Sequence, residues 1–215
     1  MKDIAIYGAG GFGREVACLI KRINEQQPTW NLIGFYDDNE LLRNKPISHF
    51  GICHGGINEL NNYPNELAVV IAIGNSIVVK NVVDRITNKH ISFPNIIHPN
   101  FSISDKESFQ IGYGNIIQGG CSVTCSVSIG NFNVLNGSVV IGHDASIGDY
   151  NTFMPAVRVS GGVEIGEQNF FGVGSIILQQ LKIKDRVRLG AGSVLMTKPK
   201  SGFLYLGVPA KKMEL

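Results

Sequence analysis

From Ile111 to Leu195 every sixth residue is apolar: Ile111, Ile117, Val123, Ile129, Leu135, Ile141, Ile147, Phe153, Val159, Ile165, Phe171, Ile177, Ile183, Leu189 and Leu195. An amphipathic helix repeats at about 3.6 residues and a half-buried strand at about 2, so an unbroken period of six fits neither as one element. Short strands joined by tight turns do fit. Such a chain winds as a parallel β-helix, each coil burying its apolar interior against the next, because one coil alone cannot cover its own hydrophobic face. Glycine follows seven of the marks, at Gly112, Gly130, Gly142, Gly148, Gly166, Gly172 and Gly190. These glycines are expected to serve the sharp turns, where backbone angles are demanding.

The residues before the repeat follow another pattern. Asp3-Ile4-Ala5-Ile6-Tyr7 reads as a strand that runs into Gly8-Ala9-Gly10-Gly11-Phe12-Gly13, and Arg14 to Ile23 carries Val16, Leu19, Ile20 and Ile23 at helical spacing. Strand, glycine loop and helix in that order is the context in which GxGxxG means phosphate binding: Gly8 for the tight turn, Gly10 for close approach of an anion, Gly13 for helix-on-sheet packing. A second strand, Leu32 to Tyr36, ends in Asp37-Asp38, where an acidic residue would hold a ribose. Leu67 to Ile73 reads as a third strand closed by Gly74-Asn75-Ser76, Ile77 to Asn88 as a helix, and Ile91 to Phe93 as a last short strand. This is too short for a full dinucleotide fold and suits one nucleotide better than NAD. Phe101 and Ile103 read as a first coil out of phase with the later register.

Charge bounds the partners. A formal net charge of +2 on 215 residues argues against a dedicated nucleic-acid binder. Eight of the nineteen basic residues fall from Lys182 onward, against Asp185 and Glu214 alone, which suits an anionic ligand near the final coils. Cys18, Cys53, Cys121 and Cys125 have neither metal-ligand spacing nor the framework of a secreted disulfide protein, and no metal is expected. No run is long enough to span a membrane, so a cytoplasmic setting without a membrane span is expected.

His143 is the single histidine inside the repeat, in Ile141-Gly142-His143-Asp144. Since Ile141 packs inward, the imidazole is expected to project outward at a turn, beside a neighbouring coil or subunit. An outward histidine touching a carboxylate is a general-base arrangement. A three-sided coil of three hexads stacks Cys125, His143 and Gly161 over one another, and the bare backbone of Gly161-Gly162 leaves an N–H able to meet a developing oxyanion.

The whole chain resembles the hexapeptide-repeat acyltransferases, and within them the sugar O- or N-acetyltransferases of the sialic acid and bacillosamine pathways. The resemblance rests on GAGGFG, GFYDDN, the HPN before the coils, the hexads with GHD, and Leu206-Gly207-Val208-Pro209-Ala210-Lys211 at the end. It implies a small Rossmann-like α/β sugar-nucleotide-binding domain over residues 1–95, a left-handed parallel β-helix over 96–197, a C-terminal cap over 198–215, and a homotrimer. It also implies acetyl transfer from acetyl-CoA to an amine or hydroxyl of a nucleotide-linked or free sugar. By position, His143 matches the family's general base, Asp144 its acidic partner, and Gly161 the glycine whose amide faces the thioester oxygen. Gly8, Gly10, Gly11, Asp37 and Asp38 match the sugar-nucleotide positions, with Phe12 and Gly74 beside them. Arg188, Lys198 and Lys211 are the candidates for the CoA phosphates.

Two departures stand out. Phe12 takes a place where members acting on amino sugars often have histidine. The coil after the base offers Asp149-Tyr150-Asn151-Thr152 where a second histidine is common, so Asn151 or Thr152 is expected to take over the hydrogen bond to the donor. A non-catalytic trimeric sugar-nucleotide-binding scaffold is the alternative from another class, and an NAD-dependent oxidoreductase has only GxGxxG in its favour.

Overall fold

The structure is a computed structural model that describes residues 1–213, so Glu214 lies outside the described residues. The chain divides into two compact units, Met1–Pro99 and Asn100–Leu215.

In the first unit, β1 (Lys2–Tyr7), β2 (Trp30–Tyr36), β3 (Leu67–Ile71) and β4 (Ile91–Ser92) form a parallel sheet in the order β2-β1-β3-β4. The connections contain α1 (Gly11–Gln26), α2 (Ile57–Asn61) and α3 (Ser76–Arg85). Helix α1 forms because Val16, Ala17, Leu19 and Ile20 recur on one face, and that face is buried with Gly13. The chain leaves β1 for one side of it and later returns to the other side. The carboxyl ends of β1 and β3 therefore flank a topological switch point, the place where open α/β sheets take ligands.

The second unit is a left-handed parallel β-helix. Two-residue strands pair eighteen residues apart on three faces, as in Val140↔Arg158, Ser128↔Ser146 and Val134↔Thr152. Fourteen of the fifteen apolar marks are at most 4% exposed; the exception is Ile111, in the first strand of its face, which is partly exposed. Phe153 and Phe171 stack inside with ring centroids 4.8 Å apart. The first coil is two residues out of step, Ile103 pairing with Val123.

The turn lies two residues beyond the position where glycine was expected to make it. One residue per hexad has a left-handed backbone, the third after each mark, from Gly114 to Gly192. Only Gly114, Gly120, Gly162, Gly174 and Gly192 among these are glycine; the others include Asp144 (φ +57°) and Tyr150 (φ +57°). The glycines that directly follow the marks have ordinary backbone angles and are there for space. A Cβ on Gly142 would stand 2.8 Å from the Gly161 nitrogen, and one on Gly148 2.7 Å from the Gly166 carbonyl oxygen, each in the next coil.

Inside the β-helix runs a column that the apolar period does not reveal. Asn115, Asn133, Asn151 and Asn169 are each fully buried. Asn133 Oδ1 accepts the Asn151 backbone N–H at 2.8 Å and its Nδ2 at 3.1 Å, and Asn151 Oδ1 accepts both donors of Asn169 at 2.9 Å. The ladder closes on the backbone N–H of Val187, 2.8 Å from Asn169 Oδ1. Buried amides persist only when so satisfied.

Candidate active site

The corner after the strand Val140–Ile141 holds the candidate residues His143 and Asp144. His143 Nδ1 donates to Asp144 Oδ2 at 2.7 Å, the tautomer following from that acceptor, and both side chains are about two-thirds exposed (65% and 64%). Asp144 can do this because it is the left-handed residue of its hexad, a conformation that aspartate tolerates. The bond holds the ring and leaves the Nε2 lone pair for a proton.

Nε2 lies against the next coil. A Cβ on Gly161 would be 2.5 Å from it, so only glycine leaves the ring its place. The Gly162 N–H donates to the His143 carbonyl oxygen at 2.7 Å, and the Gly161 carbonyl oxygen accepts from Gln180 at 3.0 Å. The Gly161 N–H has no acceptor among the described residues. Imidazole and open donor therefore stand on adjacent coils at one corner. Beside them an open groove of about 620 Å³ is lined by Asp144, Ser146, Glu164, Lys182, Lys184 and Lys198, with Lys182 ion-paired to Glu164 at 2.7 Å.

The other candidates for the donor divide. Asn151 is not available to a thioester: it is an interior rung, and both its Nδ2 hydrogens and its Oδ1 are already bonded within the ladder and to the Gly166 carbonyl oxygen at 2.9 Å. Thr152 is 3% exposed in this chain. Lys198 lines the groove with Asp144, whereas Arg188 and Lys211 are exposed on another face, paired with Leu204 and Leu206 of the strand Leu204–Leu206. The three cations do not converge.

In the first unit Gly8 has φ +110°, and a Cβ there would meet the Ala72 carbonyl oxygen at 2.6 Å, so the glycine loop packs on the end of β3. A Cβ on Gly10 or Gly74 meets nothing within 4 Å, and one on Gly11 only Arg14 Nη2 at 4.0 Å: the floor of the switch point is bare. Helix α1 starts from Gly10 with no side-chain cap and no acidic residue in its first turn, which leaves amides and dipole free for an anion. Phe12 is half-buried at that start.

The two aspartates differ. Asp37 Oδ2 accepts the Ala9 N–H at 2.8 Å and so braces the loop. Asp38 Oδ1 accepts from Tyr7 Oη at 2.6 Å and from the Ile57 N–H at 3.1 Å, while Oδ2 takes Arg85 at 2.8 Å. Burial raises the Asp38 pKa, but the Tyr7, Arg85 and Ile57 donors outweigh it and the net shift is downward. The Tyr7 phenol is driven far up, first by burial and then by Asp38. No cluster of three or more potential metal ligands occurs among the described residues.

Comparison with known proteins shows a matching family for the first unit and a shared fold for the whole chain. Residues 3–86 match the PglD N-terminal domain family. WeeI from Acinetobacter baumannii superposes over 99% of this chain and 100% of its own with a TM-score of 0.87 at 27% identity. The chain thus pairs a PglD-type N-terminal domain with the left-handed β-helix fold that it shares with WeeI over its whole length. PerB from Caulobacter crescentus, solved with CoA and GDP-perosamine, shares the fold over 100% of this chain and 98% of its own (TM-score 0.84, 24% identity). So does the acetyltransferase domain of PglB from Neisseria gonorrhoeae, solved with acetyl coenzyme A, over 99% of each chain (TM-score 0.74, 24% identity). No curated protein matches this sequence.

Proposed function

We propose that this protein transfers an acetyl group from acetyl-CoA to an amine or hydroxyl of a nucleotide-linked sugar. The observation that carries the reading is the corner itself: an imidazole oriented by a carboxylate, its free nitrogen against a glycine whose N–H is open. His143 Nε2 takes the acceptor's proton as that nitrogen or oxygen attacks the thioester carbon. The Gly161 N–H donates to the carbonyl oxygen as it becomes an oxyanion, and Asp144 stabilises the imidazolium. The imidazolium then returns the proton to the departing sulfur, which leaves CoA as the thiol. Lys198, on the groove beside Asp144, is the cation best placed for the donor's phosphates. In the first unit Gly10, Gly11 and Gly74 form the bare floor for the nucleotide diphosphate, with Gly8 packing the loop on the end of β3 and Asp37 bracing it.

Support also comes from the fold shared with proteins solved with CoA, acetyl-CoA or GDP-perosamine. The protein acts as a homotrimer in the cytoplasm on this reading. Its four cysteines are free thiols, and no helix among the described residues is long and apolar enough to cross a membrane.

The test is thiol release from acetyl-CoA with a panel of UDP-, GDP- and CMP-linked amino and deoxy sugars, wild type against His143→Ala. Release that depends on one acceptor and is lost in the variant supports the reading. Nucleotide binding with no release for any acceptor supports the non-catalytic scaffold instead.

A further inference from the structure

The three corners of the β-helix treat one backbone group differently. At the corner that contains Asn131 and Asp149, three of the N–H groups on the second residue after a mark are each taken by a side chain from the coil above. Asn131 Oδ1 accepts the Tyr113 N–H at 3.1 Å, Asp149 Oδ1 the Asn131 N–H at 2.7 Å, and Asp185 Oδ1 the Glu167 N–H at 2.8 Å. The fourth residue of that column, Glu167, is one methylene longer and does not cap the Asp149 N–H, which has no acceptor among the described residues. A short carboxylate or amide closes this N–H; a longer one stands past it.

Gly161 is the second residue after the mark Val159, and the pairing Val159↔Ile177 puts Gln179 directly above it. Gln179 is exposed, hydrogen-bonds to nothing among the described residues, and has the length of Glu167. Its chain neighbour Gln180 fills the space over Gly162, its Cγ 3.4 Å from where a Cβ on that glycine would be. The bare pair Gly161-Gly162 is thus a notch with His143 on one side and two glutamines on the other.

We propose that Gln179 is a further catalytic residue, its carboxamide Nε2 donating to the thioester carbonyl oxygen beside the Gly161 N–H. This rests on the acetyl-transfer reading above. The two donors come from adjacent coils and meet the oxygen as charge develops on it. The choice of glutamine over asparagine or aspartate then has a physical reason, since a shorter side chain at 179 would accept the Gly161 N–H and remove the other donor.

The experiment compares steady-state kinetics of wild type, Gln179→Ala, Gln179→Glu and Gln179→Asp with acetyl-CoA and the acceptor found active. Loss of one oxyanion donor lowers kcat by roughly 100-fold, so Gln179→Ala and Gln179→Glu are expected to fall by about that factor with the KM for acetyl-CoA little changed. Gln179→Asp is expected to fall further, because it also caps Gly161. Thermal unfolding controls for folding, which an exposed side chain without internal bonds leaves unaltered. Wild-type kcat in Gln179→Ala, or equal activity in the Ala and Asp variants, would overturn the assignment while leaving the transferase in place. Absence of turnover in wild type with every acceptor would overturn both.

Discussion

The Nε2 atom of His143 and the Cα of Gly161 share a space that admits no further carbon: a Cβ on Gly161 would stand 2.5 Å from Nε2 and 2.6 Å from Cε1. The glycine is therefore a condition for the position of the imidazole as well as a source of an N–H.

Gly161→Ala is expected to push the imidazole outward. Its backbone angles suit alanine and the ring is largely solvent-exposed, so the β-helix remains folded. Displacing a reacting group by about 1 Å costs on the order of 100-fold, and kcat/KM for acetyl transfer is expected to fall by at least about that factor while the thermal unfolding midpoint stays near wild type. A fully active Gly161→Ala would remove the packing argument.

Asn151→Ala tests the interior ladder. The change strips the acceptor from two Asn169 donors and a donor from Asn133. Leaving such groups buried and unpaired costs about 1–3 kcal/mol each, so chemical denaturation is expected to show a loss of several kcal/mol. Acetyl transfer per folded molecule is expected to persist. A stable Asn151→Ala with weakened acetyl-CoA binding would return this residue to the donor site.

Gly10→Ala and Gly13→Ala separate ligand from fold. Gly10 has ordinary backbone angles and open space beside it, so alanine leaves folding intact but intrudes on the anion floor. Nucleotide-sugar affinity measured by calorimetry is expected to drop roughly tenfold or more, the effect of about 1–3 kcal/mol of overpacking. At Gly13 a Cβ would collide with the Gly8 backbone carbonyl. That variant is expected to lose stability whether or not nucleotide is present.

The acid limb of stability reports on Asp38. Its folded pKa lies below the ordinary value of 3.8, so its contribution is present above that pH and fades as pH falls through the lower folded value. Urea unfolding of Asp38→Asn is expected to depend less steeply on pH below about pH 4 than wild type. Identical acid limbs would show that the Tyr7 and Arg85 contacts do not hold this carboxylate in solution.

Much of the molecule was legible because periodic burial writes itself into a chain at fixed spacing. The six-residue apolar period named a solenoid without reference to any other protein, and β1, α1 and the loop between them followed from hydrophobic alternation, helical spacing and GAGGFG. The short helix α2 has no such signature: five residues with two buried, Ile57 and Leu60, do not make a period. The asparagine ladder was written just as plainly, at eighteen-residue spacing, but a search for apolar marks passes over polar residues in the interior. The misplacement of the turn has a similar cause. Seven glycines after the marks resemble turn residues until the distance to the neighbouring coil is known.

What the chain order determined by itself was the period, the strand–loop–helix start and the candidates His143, Asp144 and Gly161, since each depends on spacing along one chain. Which nitrogen of His143 meets Asp144, how closely Gly161 approaches the ring, why Asn151 is spent inside, and which backbone N–H is left uncapped were decided only in the tertiary structure. Each of these depends on the contact between one coil and the next, where a difference of one methylene or a few tenths of an ångström separates a closed hydrogen bond from an open one.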